Sequence, residues 1–297
     1  MSTSLARCDT EAVRDDVVSL LACPHCAQPL TQAGAALRCV RDHSFDIARQ
    51  GYVNLLGGAG HAASGDTAEM VADRRRFLDA GHYASLMDAL AGHVGVRRAT
   101  SVLDVGAGTG HYLAAVLEQS PSAVGLAVDA SKAAARAAAR VHQRADSVLA
   151  DTWQQLPVRN DSIDVALTVF APRRAAELRR VLRGDGMLFV LTPTARHLRE
   201  VVGPLQLLQV DERKPERLEQ AMSGFFSERQ HTELEFTMSL NHDDLAALVG
   251  MGPSAWHAGA QVRAARIAVV PEPMTVTGSV VLTEYGGAPL CPAPRSG

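Results

Sequence analysis

Apolar positions along this 297-residue chain change their period several times, and each change marks a predicted element. Over 68–80 and 83–93 they recur every three or four residues beside a charged face, which predicts two amphipathic helices. From residue 100 short, continuous apolar runs take over. The runs 101–105, 123–128, 147–150, 163–170 and 186–191 have strand length, and 112–118, 132–141 and 174–183 return to helical spacing between them. Strands that are apolar throughout are covered on both faces. The alternation predicts an α/β fold with a doubly wound, mostly parallel sheet. Two later stretches, 233–240 and 274–283, alternate with period two. They complete a seven-stranded sheet in which one of them runs antiparallel.

The pattern before residue 68 differs. Residues 1–19 read as a loose polar lead-in and 20–56 as a small module. Gly57-Gly-Ala-Gly-His-Ala-Ala-Ser-Gly65 opens a flexible linker over 57–69. The α/β domain then takes 70–285 and leaves 286–297 as a tail. The composition, 47% hydrophobic and 21% charged with mean hydropathy +0.01, suits a soluble globular protein. No apolar run approaches the roughly 18–20 residues a membrane span needs. The N-terminus lacks the apolar stretch of a signal peptide, so a cytoplasmic protein without a membrane partner is expected.

The module's chemistry lies in Cys23, Cys26, Cys39 and His43, a C-x2-C followed by C-x3-H. Zinc takes four such ligands in a tetrahedron, and a site closed by four protein ligands is structural. His25, inside the first pair, is a second candidate for the histidine ligand. About 35 residues bury too little core to fold alone, so metal binding of roughly 10–16 kcal/mol is expected to supply the fold. Five cysteines, an odd number, argue against a disulfide framework. Cys8 and Cys291, near the chain ends, are expected to be incidental.

A second signal closes the first strand of the α/β domain. Asp104-Val-Gly106-Ala-Gly108-Thr109-Gly110 follows a strand and opens a helix, so its backbone can approach a ligand closely. The spacing G-x-G-x-G is not the dinucleotide pattern G-x-G-x-x-G. Together with Asp104 before the first glycine it favours S-adenosylmethionine. Asp129 ends the second strand, where it could accept ribose hydroxyls, and Asp151 ends the third, where adenine contacts fall. The fourth strand ends in Val-Phe170-Ala-Pro-Arg, without the Asn/Asp-Pro-Pro-aromatic run used to methylate exocyclic amines.

A net charge of −3, from 29 basic and 32 acidic residues, does not advertise a nucleic-acid binder. Only local arginine runs do: Arg74 to Arg76, and the stripe Arg173, Arg174, Arg179, Arg180 and Arg183. A solvated helix face explains either equally well. Aromatic residues are 4% of the chain. Phe170, Tyr52 and Trp256 are the candidates for stacking on a base, and each is expected to be core before platform.

The zinc pattern followed by Phe45-Asp-x-Ala-Arg-Gln-Gly-Tyr-Val-Asn-Leu-Leu56 resembles the zinc-containing 23S rRNA guanine-N1-methyltransferases. So do Asp66-Thr-Ala-Glu-Met70, Arg75-x-Phe-Leu-Asp-Ala-Gly-His-Tyr83, Phe170-Ala-Pro, Thr192-Pro-x-x-x-His-Leu198 and Met251-Gly-Pro-Ser-Ala-Trp256. The resemblance spans 20–285 and implies a class I S-adenosylmethionine-dependent methyltransferase with an N-terminal zinc-binding, RNA-recognition domain. It implies zinc on Cys23, Cys26, Cys39 and His43, and cofactor contacts from Tyr83, Gly108, Thr109 and His197. It further implies a homodimer that grips a hairpin of domain II of 23S rRNA. The Gly-Thr-Gly loop and the Phe-Ala-Pro-Arg run resemble the macrolide-resistance branch, which modifies guanine-748. A sister branch modifies guanine-745. No residue stands out as the base that removes the N1 proton. Two other readings stay open: a non-catalytic zinc-containing RNA-binding factor, and a small-molecule methyltransferase.

Overall fold

A computed structural model describes residues 13–56, 65–208, 214–252 and 259–288. The N-terminal module is a three-stranded antiparallel sheet of β1 (Leu30–Ala33), β2 (Ala36–Cys39) and β3 (Ser44–Asp46). Behind it comes the α/β unit. Its strands are β5 (Ser101–Val105), β6 (Val124–Asp129), β7 (Ala145–Leu149), β8 (Ile163–Val169), β9 (Leu182–Pro193), β10 (Phe226–Leu240) and β11 (Met274–Gly287). These are the seven strands that the hydrophobic pattern predicts. β11 pairs antiparallel with both β9 and β10, so it alone of the seven is reversed.

The sheet has an eighth strand that the pattern assigned to the zinc module. β4 (Tyr52–Asn54) pairs in parallel with β7, giving the order β10-β11-β9-β8-β5-β6-β7-β4. The N–H of Leu55 extends this pairing to the carbonyl of Leu149 at 2.9 Å. Successive strand side chains face opposite ways. Tyr52 therefore packs with Ala135, Ala139 and Leu149, while Val53 joins the core on the other side.

Helices cover one face of the sheet: α2 (Ala68–Asp79), α3 (Ala84–Gly95), α4 (His111–Gln119), α5 (Lys132–Ala138), α7 (Arg199–Leu205), α9 (His242–Gly250) and α10 (Ala260–Ile267). The other face is covered by α1 (Asp15–Val18), α6 (Ala175–Val181), α8 (Lys214–Met222) and the zinc module itself. Cys23, Leu30, Leu37, Cys39 and Phe45 share one apolar cluster with Leu103, Val105, Leu126, Val128 and Val148 of the sheet. Ala22 donates its N–H to Pro157 at 3.0 Å, and Arg159 donates to Leu20 at 2.8 Å. The module thus occupies a place on the sheet that a helix would otherwise cover. Residues 13–19 are not the loose lead-in expected, because Val13, Val17 and Val18 are buried beneath it. The expected linker lies partly outside the described residues. Its described end is ordered by Thr67, whose hydroxyl accepts the Met70 N–H at 3.2 Å and caps α2. Among the described residues no helix is long and apolar enough to cross a membrane.

Candidate functional site

The four predicted metal ligands come together. Two turns present them: Ala27 follows the first pair and Asp42 precedes His43, both with positive φ. The N–H of Ala27 reaches the carbonyl of Cys23 at 2.8 Å, and that of Asp42 reaches Cys39 at 3.0 Å. The Sγ atoms of Cys26 and Cys39 are 3.7 Å apart, and His43 Nδ1 lies 3.4 Å from Cys23 Sγ and 3.3 Å from Cys39 Sγ. All four ligand atoms fall within 4.8 Å of one another. Zn–S bonds of about 2.3 Å in a tetrahedron place ligand atoms roughly 3.7 Å apart, so the set fits zinc. His25 does not join it. Its ring stacks on Phe45 at 5.7 Å between centroids.

The second site is a cleft of about 740 Å³ at the carboxyl ends of the central strands, where open α/β sheets bind ligands. Tyr83, Asp104, Gly106, Gly108, Thr109, Asp129 and His197 of the predicted set line it. Gly106 (φ +75°) approaches the chain beyond β8 so closely that a Cβ there would lie 2.5 Å from that of Ala171. A Cβ on Gly108 (φ +54°) would meet the Arg74 guanidinium at 3.1 Å. Gly110 and Asp151 do not line the cleft. Gly110 is in the left-handed region at the start of α4, where a Cβ would strike Val141 and Ala138, so it is a packing glycine. Asp151 accepts the Trp153 N–H at 2.8 Å and shapes the turn. The lining residues there are its neighbours Thr152 and Trp153.

Two carboxylates dominate the floor. Asp129 accepts the N–H of Gly108 and of Ser131, each at 2.8 Å, and so holds the glycine loop against β6. Burial pushes its pKa up, and these two N–H groups oppose the shift. Asp104 is 1% exposed, and neither of its oxygens has a hydrogen-bond partner. Burial, with a smaller contribution from the Asp129 charge, pushes it up to about 7. A buried, unpaired carboxylate is costly. It suits a cleft that receives a cation.

The far wall is aromatic. His197 Nδ1 accepts the backbone N–H of Ser279 at 3.1 Å, which leaves the ring proton on Nε2. That atom is 3.3 Å from the Tyr83 hydroxyl, so the histidine donates and the tyrosine keeps its own proton to give to a ligand. Burial raises the Tyr83 pKa and keeps the phenol protonated. Phe170 lies against His197 with centroids 5.8 Å apart and planes at 29°. Its φ is +52°, an unusual conformation for a bulky residue. It is 39% exposed and lines the cleft, contrary to the expectation that it belongs to the core. Tyr52 is core as expected, and Trp256 lies outside the described residues.

Residues 21–58 match the family model described as RlmA, N-terminal, and 102–186 match a methyltransferase domain. The chain is 47% identical over 277 residues to the 23S rRNA (guanine(748)-N(1))-methyltransferase of Streptomyces fradiae, covering 91% of this chain and 98% of that one. It is 48% identical over 291 residues, with the same coverage, to a Micromonospora griseorubida protein assigned as a 23S rRNA (guanine-N(1)-)-methyltransferase. A Bacillus subtilis protein with the same assignment is 30% identical over 258 residues, covering 81% of this chain and 88% of that one. This chain belongs to the 23S rRNA guanine-N1-methyltransferases.

As a member of that family it uses S-adenosylmethionine, and its Cys3His cluster is a one-zinc structural site. The arginines of the expected stripe are engaged by the fold itself. Arg180 pairs with Glu177 at 2.7 Å and donates to the carbonyls of Val158 and Leu156. Arg179 donates to Leu182, Arg174 to Trp153 and Arg173 to Ala171, and Arg183 pairs with Asp164. These arginines tie carbonyls of the chain around α6 to the helix and its flanks. Arg75 and Arg76 pair with acids on their own helix, whereas Arg74 bridges Asp66 and the Met251 carbonyl inside the cleft. Sequence reasoning also passed over Trp153, 54% exposed in the lining, although its place just after a strand-end acid was a usable signal.

The Asp104 environment sets a pH dependence. Its folded pKa lies above the ordinary carboxylate value, so its burial weakens the fold as pH rises from about 4 to about 7. The effect is about 1.4 kcal/mol per pH unit at most within that window. The substitution Asp104→Asn removes this cost. Calorimetry of the ligand-free protein should show the variant gaining stability over wild type at pH 8 and gaining much less at pH 5. An equal difference at both pH values would show that Asp104 is not buried as a charge.

Proposed function

We propose that this chain transfers the methyl group of S-adenosylmethionine to N1 of guanine-748, in a hairpin of domain II of 23S rRNA, and so protects a ribosome from a macrolide. The observation that carries the reading is the unpaired Asp104 carboxylate beneath the glycine loop of a cleft that shares its core with a zinc module. The name of the Streptomyces fradiae relative, aligned over 98% of its length, supports the choice of guanine. We further propose that the enzyme acts in the cytoplasm as a homodimer whose zinc modules flank the RNA.

When bound, S-adenosylmethionine supplies a methyl group on a positively charged sulfur. Asp104 supplies the negative charge that favours such a ligand. Asp129 spends one lone pair of each oxygen on the loop and keeps others for ribose hydroxyls. The backbone at Gly106 and Gly108, with Thr109 beside it, lets the ligand approach. Tyr83 donates its hydroxyl hydrogen, oriented by His197. The Nδ1 of His197 is occupied by the Ser279 N–H, so it is poorly placed to take the guanine proton.

On the acceptor side the chain contributes position. Guanine N1 lies on the pairing edge and must leave its hairpin stack to react. Phe170, exposed at the end of β8 and backed by His197, offers a ring face for the extruded base. Base–aromatic stacking contributes about 1–3 kcal/mol.

Primer extension on 23S rRNA treated with the enzyme and cofactor tests the reading. A stop at guanine-748 is expected. A stop at guanine-745 would assign the sister specificity, and no stop in the hairpin would remove the rRNA reading. For Phe170→Ala the same assay should give a rate roughly 10- to 100-fold lower at limiting RNA, by the stacking energy above. Calorimetry should find its cofactor affinity unchanged. Undiminished methylation would show that Phe170 is not the platform.

A further inference from the structure

Helix α5 follows β6 at the rim of the cleft. Its side chains divide sharply into two kinds. Ala134, Ala135 and Ala138 are buried against the sheet, whereas Lys132, Arg136 and, in the turn that follows, Arg140 are exposed. Lys132 and Arg136 lie at i and i+4 on the helix surface, about 6 Å apart, and Arg140 follows four residues on in the turn beyond it. Their side chains form neither hydrogen bond nor ion pair with any described residue. No acidic residue occurs between Asp129 and Asp146.

A fourth cation lies on a turn packed beside the row. Arg49 sits in the turn before β4, closed by the Gly51 N–H to the Ala48 carbonyl at 2.7 Å. A Cβ on Gly51 would lie 3.7 Å from that of Ala139, so this turn packs on α5 between the levels of Arg136 and Arg140. The Arg49 side chain is likewise unpaired. At the other end the row reaches the cleft. Ser131 donates its hydroxyl to the Asp66 carbonyl at 2.6 Å, and Asp66 lines the cleft.

Folding alone does not favour this arrangement. Like charges four residues apart weaken a helix. Lys132, in the first turn, sits at the end where the helix dipole disfavours a cation. On a chain of net charge −3, whose α6 arginines are occupied by backbone carbonyls, an unopposed basic row is a local exception.

We infer that Lys132, Arg136, Arg140 and Arg49 form a phosphate track that holds the RNA backbone flanking the target guanine and leads it from the β4 edge of the sheet to the cleft. This rests on the proposed rRNA substrate. The track is phosphate-reading, so it contributes affinity without sequence preference.

The test uses the full-length zinc protein and a transcript of the 23S hairpin. In a triple variant, Lys132→Gln, Arg136→Gln and Arg140→Gln, binding is measured across a KCl series, alongside methylation and S-adenosylmethionine calorimetry. The slope of log affinity against log salt should fall in magnitude by about 2 to 3, roughly 0.7–0.9 for each lost contact. Affinity should drop roughly tenfold or more at 0.1 M salt. KM for RNA should rise with it, while kcat and cofactor affinity hold and show that the variant is folded. The charge-preserving pair Arg136→Lys and Arg140→Lys should keep the wild-type slope. An unchanged slope and affinity in the triple variant, with wild type binding the transcript, would overturn the track alone. A wild type that neither binds nor methylates the transcript would overturn the rRNA reading, and the track with it.

Discussion

Four ligand atoms brought within 4.8 Å of one another set the geometry on which much of this chain depends. The three short strands between Leu30 and Asp46 cannot bury a core of their own. Tied through Cys23, Cys26, Cys39 and His43 they become a rigid cap, and the cap's apolar side becomes one layer of the α/β core. The chain leaving the cap then supplies β4, the strand that closes the β7 edge. An exposed parallel edge invites pairing with other chains, so this closure also protects the fold.

The same continuity connects the cap to the chemistry. β4 and the turn before it pack on α5, and α5 is capped by Ser131, which binds both Asp129 and Asp66. Asp66 in turn pairs with Arg74 of α2, above Gly108. The zinc module is therefore linked to the cofactor cleft by packed side chains and backbone bonds. The cleft itself concentrates strain and unmet polarity: a bulky residue at positive φ and a buried carboxylate without a partner. Functional sites hold such features when the surrounding structure over-determines them. Here the glycine loop and the His197–Tyr83 pair do so.

Much of this was legible in the sequence because it is local. The βα rhythm from residue 100, the C-x2-C and C-x3-H spacing and the strand–glycine–helix loop each depend on near neighbours, and all reappear as read. What escaped the sequence depends on contacts made at a distance. A three-residue strand such as Tyr52–Asn54 carries no periodic signal, and its partner lies about 95 residues on. The arginines around α6 look like a nucleic-acid stripe until the carbonyls they serve are in view. The cations of α5 were hidden in an alanine-rich helix, where only the fold shows that the alanines face in and the cations out. Phe170 read as a strand residue, and only its left-handed backbone turns it toward the cleft.

The metal-held cap and the cleft are one physical unit. Hydrogen exchange before and after zinc is removed by a chelator tests it most directly. Protection should fall in β1 to β3 and also in β7 and the start of α5, with S-adenosylmethionine affinity falling in parallel. Loss of protection confined to residues 22–46, with β7 and cofactor binding unchanged, would contradict it.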